Sequence, residues 1–178
     1  MEPIERLIEY YIKTYDGKLY LGNISLDIFM GKIKDVLLMI NDYFYELAKR
    51  SAQAAADKGV PNIDPRWIYA QWIHESNDFT SDLAIDNHNL GGVTQSEPND
   101  TPQPDGGNYY INFESYEDYA DYFGHYLHGF IDGGVDQATT LAEYVAALKN
   151  SPSGEYFGDS LENYVNDCQR IYDENFGG

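Results

Sequence analysis

The sequence predicts a mostly helical α+β domain with a small extended lobe near residues 90–113. Three observations carry this reading. Apolar residues recur at helical spacing in one stretch after another. Polar, proline- or glycine-containing breaks separate those stretches. One short run, Asn108 to Phe113, alternates apolar and polar like a strand or hairpin edge.

In chain order, residues 1–24 read as a small appendage. Ile4, Leu7, Ile8 and Tyr11 keep helical spacing, and Asp16-Gly17 suggests a hairpin turn or loop within Lys13 to Leu21. Ser25 reads as an N-cap. Phe29, Ile33, Val36, Leu37, Ile40, Phe44, Leu47 and Ala48 then follow at helical spacing, through about Ala56. Gly59 and Pro61 mark its stop. The organisation expected is a helical appendage over residues 1–40 and one main domain over 41–178. A second helix opens at Asp64-Pro65, where the acid can cap and proline suits the first helical position. It runs to about Ser76. Residues 77–90 are polar and broken, with a short turn expected at Ser81–Ile85. Gly91 to Gly107 is a long irregular stretch, of the kind that is usually functional or mobile. Ser115 caps a helix carrying Tyr119, Phe123, Tyr126, Leu127 and Phe130. Thr140 and Glu143 form a capping box ahead of Leu141, Tyr144, Val145 and Leu148. Leu161, Tyr164, Val165, Cys168, Ile171 and Tyr172 make a last amphipathic helix.

Composition narrows the function classes. At 178 residues, 43% hydrophobic and 15% aromatic, the chain can bury a real core and is not disordered. Its 30 acidic against 11 basic residues give a net charge of −19. A field of that sign disfavours nucleic acid and anionic membrane. The apolar runs are too short to span a bilayer. The single cysteine, Cys168, excludes an intrachain disulfide and reads as a small core residue. His125 and His128 stand three apart, but no metal-binding pattern joins them and no cofactor is implied. The first residues lack the basic flank and apolar stretch of a signal peptide.

The most informative residue is Glu75. Ile68, Trp72 and Glu75 fall at i, i+4 and i+7 and so share one helix face. A carboxyl on an apolar face is desolvated, and the negative end of its own helix acts in the same direction; both raise its pKa. An acid that keeps its proton near neutrality can protonate a leaving group, as a glycosidase requires. A solvated helix-end Glu, or one bonded to Arg66 or a backbone amide, is the alternative. Trp72 at this spacing is a core residue by the same pattern.

The passage Ala70-Gln71-Trp72-Ile73-His74-Glu75-Ser76, then Leu83-Ala84, then Asn87-His88-Asn89-Leu90-Gly91-Gly92-Val93, resembles the glucosaminidase family of bacterial peptidoglycan hydrolases. Tyr110-Ile111-Asn112-Phe113-Glu114-Ser115 occupies the place of that family's F-R-x-Y-like strand and serine. The resemblance spans about residues 42–175 and implies a lysozyme-like fold that cleaves the β-1,4 glycan strand of peptidoglycan, acting at the bacterial cell wall. It implies Glu75 as the catalytic acid. It also implies a second carboxylate in the variable lobe, for which Glu97, in Thr94-Gln95-Ser96-Glu97, is the nearest match; Asp100 and Asp105 share that loop. Asn87 and Asn89 hold the lobe turn and line the cleft in the family. Tyr109, Tyr110, Phe113 and Tyr164 are the candidate sugar contacts, while Tyr119, Tyr122 and Tyr126 read as packing residues. The sequence departs from the family at Asn77-Asp78-Phe79, which replaces a Gly-Trp-Gly-like run. It departs again at Gly91, where the family has Phe, and at Phe113, where it has Tyr. The Glu-Ser-x-x-Phe pattern is similar to lytic transglycosylases too. So endo-N-acetylglucosaminidase, muramidase and transglycosylase chemistry stay open, as does a non-catalytic glycan-binding or virion structural module. The chain also resembles wall-cutting segments of phage tail proteins, which implies a larger tail or wall-lytic assembly as a partner.

Overall fold

A computed structural model of the protein describes residues 26–96, 99, 109–152 and 155–177. The expectations for residues 1–25, and those for Glu97, Asp100 and Asp105, lie outside the described residues.

The first described element, α1 (Leu26–Asp57), runs through residue 40 without a break. The expected boundary between appendage and domain therefore falls inside a helix. Ile40 is already 2% exposed and part of the core. The helix ends where Val60 N–H turns back to Ala55 O and Gly59 takes the left-handed backbone that an L side chain resists.

The second helix, α2 (Pro65–Ser76), begins as the sequence indicates. The Asp64 carboxylate accepts from Arg66 N–H at 2.9 Å, with Pro65 in the first turn. The Arg66 guanidinium folds back onto the same Asp64 and is not Glu75's partner. Trp67, Ile68, Tyr69, Ala70, Gln71, Trp72 and Ile73 are all buried. This helix is thus enclosed on nearly every side, as a central helix is. α1 packs on it, and so does the last helix, α6 (Leu161–Phe176).

A short helix, α3 (Asp82–Asn87), capped by Ser81, stands where a turn was expected. The lobe is a two-stranded antiparallel sheet. β1 (Thr94–Gln95) pairs with β2 (Tyr109–Tyr110), Thr94 opposite Tyr110 and Gln95 opposite Tyr109. α4 (Tyr116–Leu127) follows its Ser115 cap and ends three residues before Phe130, which lies on a 3-10 helix over His128–Gly133. A second 3-10 helix covers Val135–Gln137.

α5 (Leu141–Lys149) starts at Thr140, whose hydroxyl accepts from Glu143 N–H. The reciprocal half of the capping box is displaced. The Glu143 carboxylate reaches past Thr140 and accepts from the Thr139 N–H at 2.8 Å and hydroxyl at 2.7 Å. α6 buries Tyr164, Cys168 and Ile171 against the centre. Burial holds the Cys168 thiol above its ordinary pKa, as suits a core residue and not a nucleophile. No described helix is long and apolar enough to cross a membrane. The architecture is a predominantly α, lysozyme-like fold with a small β-lobe.

Candidate active site

Glu75 sits in the last turn of α2, one turn above the fully buried Trp72. The residues that follow fix where its helix ends. Ser76, 1% exposed, donates from its hydroxyl to Trp72 O at 2.6 Å and accepts from Phe79 N–H at 2.8 Å. Asn77, Asp78 and Phe79 then take φ of 52°, 57° and 63°. Asn and Asp tolerate this left-handed region; a bulky aromatic does so only under constraint. The constraint is visible. The Phe79 ring is 2% exposed and stacks on Phe44 of α1, centroids 3.9 Å apart. Three left-handed residues thus make up the Asn77-Asp78-Phe79 run.

Glu75 is half-buried, and burial raises its pKa. Two groups oppose that shift: the Tyr164 hydroxyl, which donates to Oε1 at 2.5 Å, and His74. Burial outweighs them, so the carboxyl keeps its proton above the ordinary range. Tyr164 comes from α6. Its ring is 2% exposed, stacked on Phe157 at 3.8 Å and edge-on to His74 at 4.6 Å. Tyr164 therefore meets the site by its hydroxyl, and its ring offers no free face.

Other phenols converge here. Tyr119, Tyr156 and Tyr164 are all held well above the usual tyrosine pKa, by burial first and by the Glu75 charge second. Such phenols keep their protons, so each can donate as well as accept. Tyr156 donates to Gly91 O at 2.6 Å. The Tyr119 and Trp72 rings meet at 5.2 Å with the Tyr119 hydroxyl and Trp72 Nε1 both buried, and Gln71 Nε2 is buried with no partner among the described residues. Gln71 Oε1 accepts from Tyr144 of α5.

The lobe is tied to the helical body through the Asn87–Val93 stretch. Asn89, 1% exposed, uses both ends of its amide: Nδ2 donates to Val93 O and Ile111 O, and Oδ1 accepts from Val93 N–H. This residue holds the lobe turn and has no free group for a ligand. Asn87 O accepts from Phe113 N–H, and His88 Nδ1 lies 2.9 Å from Phe113 O. The Phe113 backbone is gripped from both sides, with its ring against Tyr119 and Tyr122. Tyr109 and Tyr110 are half-buried on β2, and Asn99 Nδ2 donates to Tyr110 O. Gly91 explains its own departure. A Cβ there would lie 2.3 Å from the Tyr156 oxygen, 2.7 Å from that of Tyr119 and 3.4 Å from Phe123. Aromatic side chains from α4 and the 155–157 segment fill the space a side chain at position 91 would take.

Glu75, Tyr164 and His74 are therefore in mutual contact, and Tyr156 joins them to the Gly91 turn. Asn87, Asn89 and Phe113 tie the lobe to the helical body, with the Phe113 ring 5.2 Å from that of Tyr119. Tyr109 and Tyr110 lie on the lobe itself. His125 and His128 are exposed, and among the described residues no group of three His, Cys, Asp or Glu is placed to hold a metal. An open groove of about 270 Å³ lined by His74, Asp78, Asp167, Arg170 and Glu174 does not include Glu75. Ser76, His88 and Tyr156 carry structural roles that sequence reasoning did not assign. For Ser76 the signal was its place directly after the acid. For Tyr156, 65 residues from Gly91, there was none. A half-buried carboxyl whose pKa is raised by burial, fixed by a donor hydroxyl, is equipped to give a proton to a leaving oxygen.

No curated protein and no solved structure matches the chain. Residues 49–176 match the model of a protein family, Glucosaminidase, described as mannosyl-glycoprotein endo-beta-N-acetylglucosaminidase.

Proposed function

The chain belongs to the glucosaminidase family and is a peptidoglycan glycoside hydrolase, and we propose that Glu75 is its catalytic acid. The observation that carries this assignment is the Glu75 carboxyl itself. Burial raises its pKa, and it stands at the end of the central helix with one oxygen bonded to Tyr164. In the proposed reaction Glu75 protonates the glycosidic oxygen as the bond to the anomeric carbon breaks. A second carboxylate then stabilises the developing cation or activates water. We assign that role to Glu97, which follows β1 in the sequence, with Asp100 and Asp105 as the other acids between β1 and β2.

The bond proposed is that of an endo-N-acetylglucosaminidase. Muramidase and transglycosylase chemistry are separated from it by the masses of the products of purified peptidoglycan. A reducing N-acetylglucosamine end supports the proposal. A reducing N-acetylmuramic acid end or an anhydro end replaces it. In the same assay Glu97→Gln is expected to lower hydrolysis about a hundredfold or more. Retained activity moves the role to Asp100 or Asp105, or to a single-acid mechanism.

Tyr164→Phe tests how Glu75 is tuned. Its hydroxyl favours the charged carboxylate, so removing it raises the Glu75 pKa further. An acid works only while protonated, and activity falls as pH rises through that pKa. The alkaline limb of the kcat/KM profile is expected to move to higher pH in the variant. A limb that stays in place, or moves down, detaches Glu75 from it.

The cell wall is the site of action that follows from this substrate class. We further propose that residues 1–40 are an arm that docks the enzyme in a larger assembly such as a phage tail. The net charge of −19 supports this: an acidic enzyme gains no long-range attraction to an anionic wall and benefits from delivery.

A further inference from the structure

The geometry points to a second glycan contact outside the Glu75 pocket: a tyrosine ridge on the outer face of α4, formed by Tyr122 and Tyr126, that receives a sugar residue further along the strand. Among the described residues, Tyr122 is one of two exposed large hydrophobic side chains, at 39%; the other is Leu38 on α1. The Tyr122 and Tyr126 rings stand one helical turn apart, 6.2 Å between centroids and only 18° from parallel.

Both rings are backed by other aromatics. Phe113 meets Tyr122 edge-on at 5.3 Å, and Phe130 meets Tyr126 at 5.2 Å. Backed in this way, the two rings keep their shared orientation without ordering on binding, which lowers the cost of association. A flat, supported aromatic face with a hydroxyl at its rim suits the apolar C–H face of a pyranose, whose own hydroxyls stay in water.

The ridge shares packing neighbours with the residues around the site. Phe113 is the residue gripped by Asn87 and His88. Tyr126 lies 6.2 Å from the Tyr156 ring, whose hydroxyl holds Gly91 and whose phenol feels the Glu75 charge. A polymer cut at Glu75 has further sugars that must lie somewhere, and this aromatic track leads away from the cut along α4. The occupant is the glycan strand, and this inference rests on the peptidoglycan reading of the site. Stacking also suits a chain of net charge −19, because it needs no electrostatic attraction and resists salt.

The test uses the full chain carrying Glu75→Gln, so that the strand is bound but not cut. Co-sedimentation with purified insoluble peptidoglycan is measured with and without Tyr122→Ala, at low and high salt. Tyr122→Ala is expected to weaken binding about fivefold, equally at both salts, at a temperature where both proteins are fully folded. Tyr122→Trp is expected to hold or tighten binding. In the Glu75 parent, Tyr122→Ala raises KM on the polymer by a similar factor and leaves turnover of a short soluble glycan fragment unchanged. Binding equal to that of the parent, or an equal loss on the short fragment, overturns the ridge. Fragment release by the Glu75 parent separates the two levels. Where the parent cuts peptidoglycan and Tyr122→Ala changes nothing, the ridge alone is wrong. Where the parent neither binds nor cuts, the glycan reading fails with it.

Discussion

Glu75→Gln is expected to abolish cleavage of purified peptidoglycan, by about a thousandfold, while making the folded protein more stable near neutral pH. The two effects share one cause. The amide matches the carboxyl in shape and can still accept from the Tyr164 hydroxyl, but it has no acid proton to give. It also carries no charge to bury. Glu75 has a pKa raised above its ordinary value of 4.5, so the unfolded chain loses the Glu75 proton at lower pH than the folded one. The parent therefore loses stability as pH rises from the ordinary carboxylate range through the raised pKa, and the loss is constant above it. The Gln variant is spared that loss. Urea unfolding is expected to give equal stabilities below the ordinary carboxylate range and a more stable variant near neutrality. Product masses report the activity. Activity within a few-fold of the parent would remove Glu75 from the chemistry. Equal stability at every pH would mean that its carboxyl is not desolvated.

What the sequence made legible was local. Helix starts carry their signal within three or four residues: Asp64-Pro65, Ser115 and Thr140 each cap the helix that follows. The Glu75 face was readable from its spacing with Ile68 and Trp72. Yet spacing understated α2, because seven consecutive buried residues leave no polar face for a period to reveal. The rest of the site is long-range. Tyr164 and Glu75 are 89 residues apart, and no local pattern distinguishes the Tyr164 hydroxyl from those of the other tyrosines on helix faces. The left-handed run was half legible, since Asn77 and Asp78 tolerate it. Phe79 adopts it because Phe44 and Ser76 hold it there, which is a tertiary cause. Gly91 reads as a missing aromatic until Tyr119, Tyr156 and Phe123 are seen to fill its place. The Glu143 displacement by one residue is a matter of side-chain reach that a capping-box pattern does not encode.

Gly124→Ala is expected to destabilise the fold by about 2 kcal/mol, against the sign that helix propensity predicts. Within a helix, alanine is favoured over glycine by about 1 kcal/mol. Gly124 lies inside α4 where that helix crosses α1, and a Cβ there would stand 2.3 Å from Ser51 O, 2.7 Å from Ala54 Cβ and 2.9 Å from Ala55 N. Two of these are backbone atoms of a helix, so the clash cannot be relieved by turning a side chain. α4 must move as a body, at a cost of about 3 kcal/mol for overpacking at a tight contact. The net loss corresponds to a melting temperature lower by roughly 6 °C in a chain of this size. Gly129→Ala is the control, because nothing lies within 4 Å of a Cβ there and its φ is not in the left-handed region. It is expected to be neutral or slightly stabilising. The crossing also matters for catalysis. α4 carries Tyr119, whose oxygen sits against Gly91, and α1 carries Phe44, which holds the turn after Glu75. Prising the helices apart shifts both supports relative to the acid. At a temperature where Gly124→Ala remains fully folded, kcat is therefore expected to fall well beyond what Gly129→Ala shows. A Gly124→Ala protein more stable than its parent would mean that α1 and α4 can separate freely, and that the Glu75 site does not depend on their close approach.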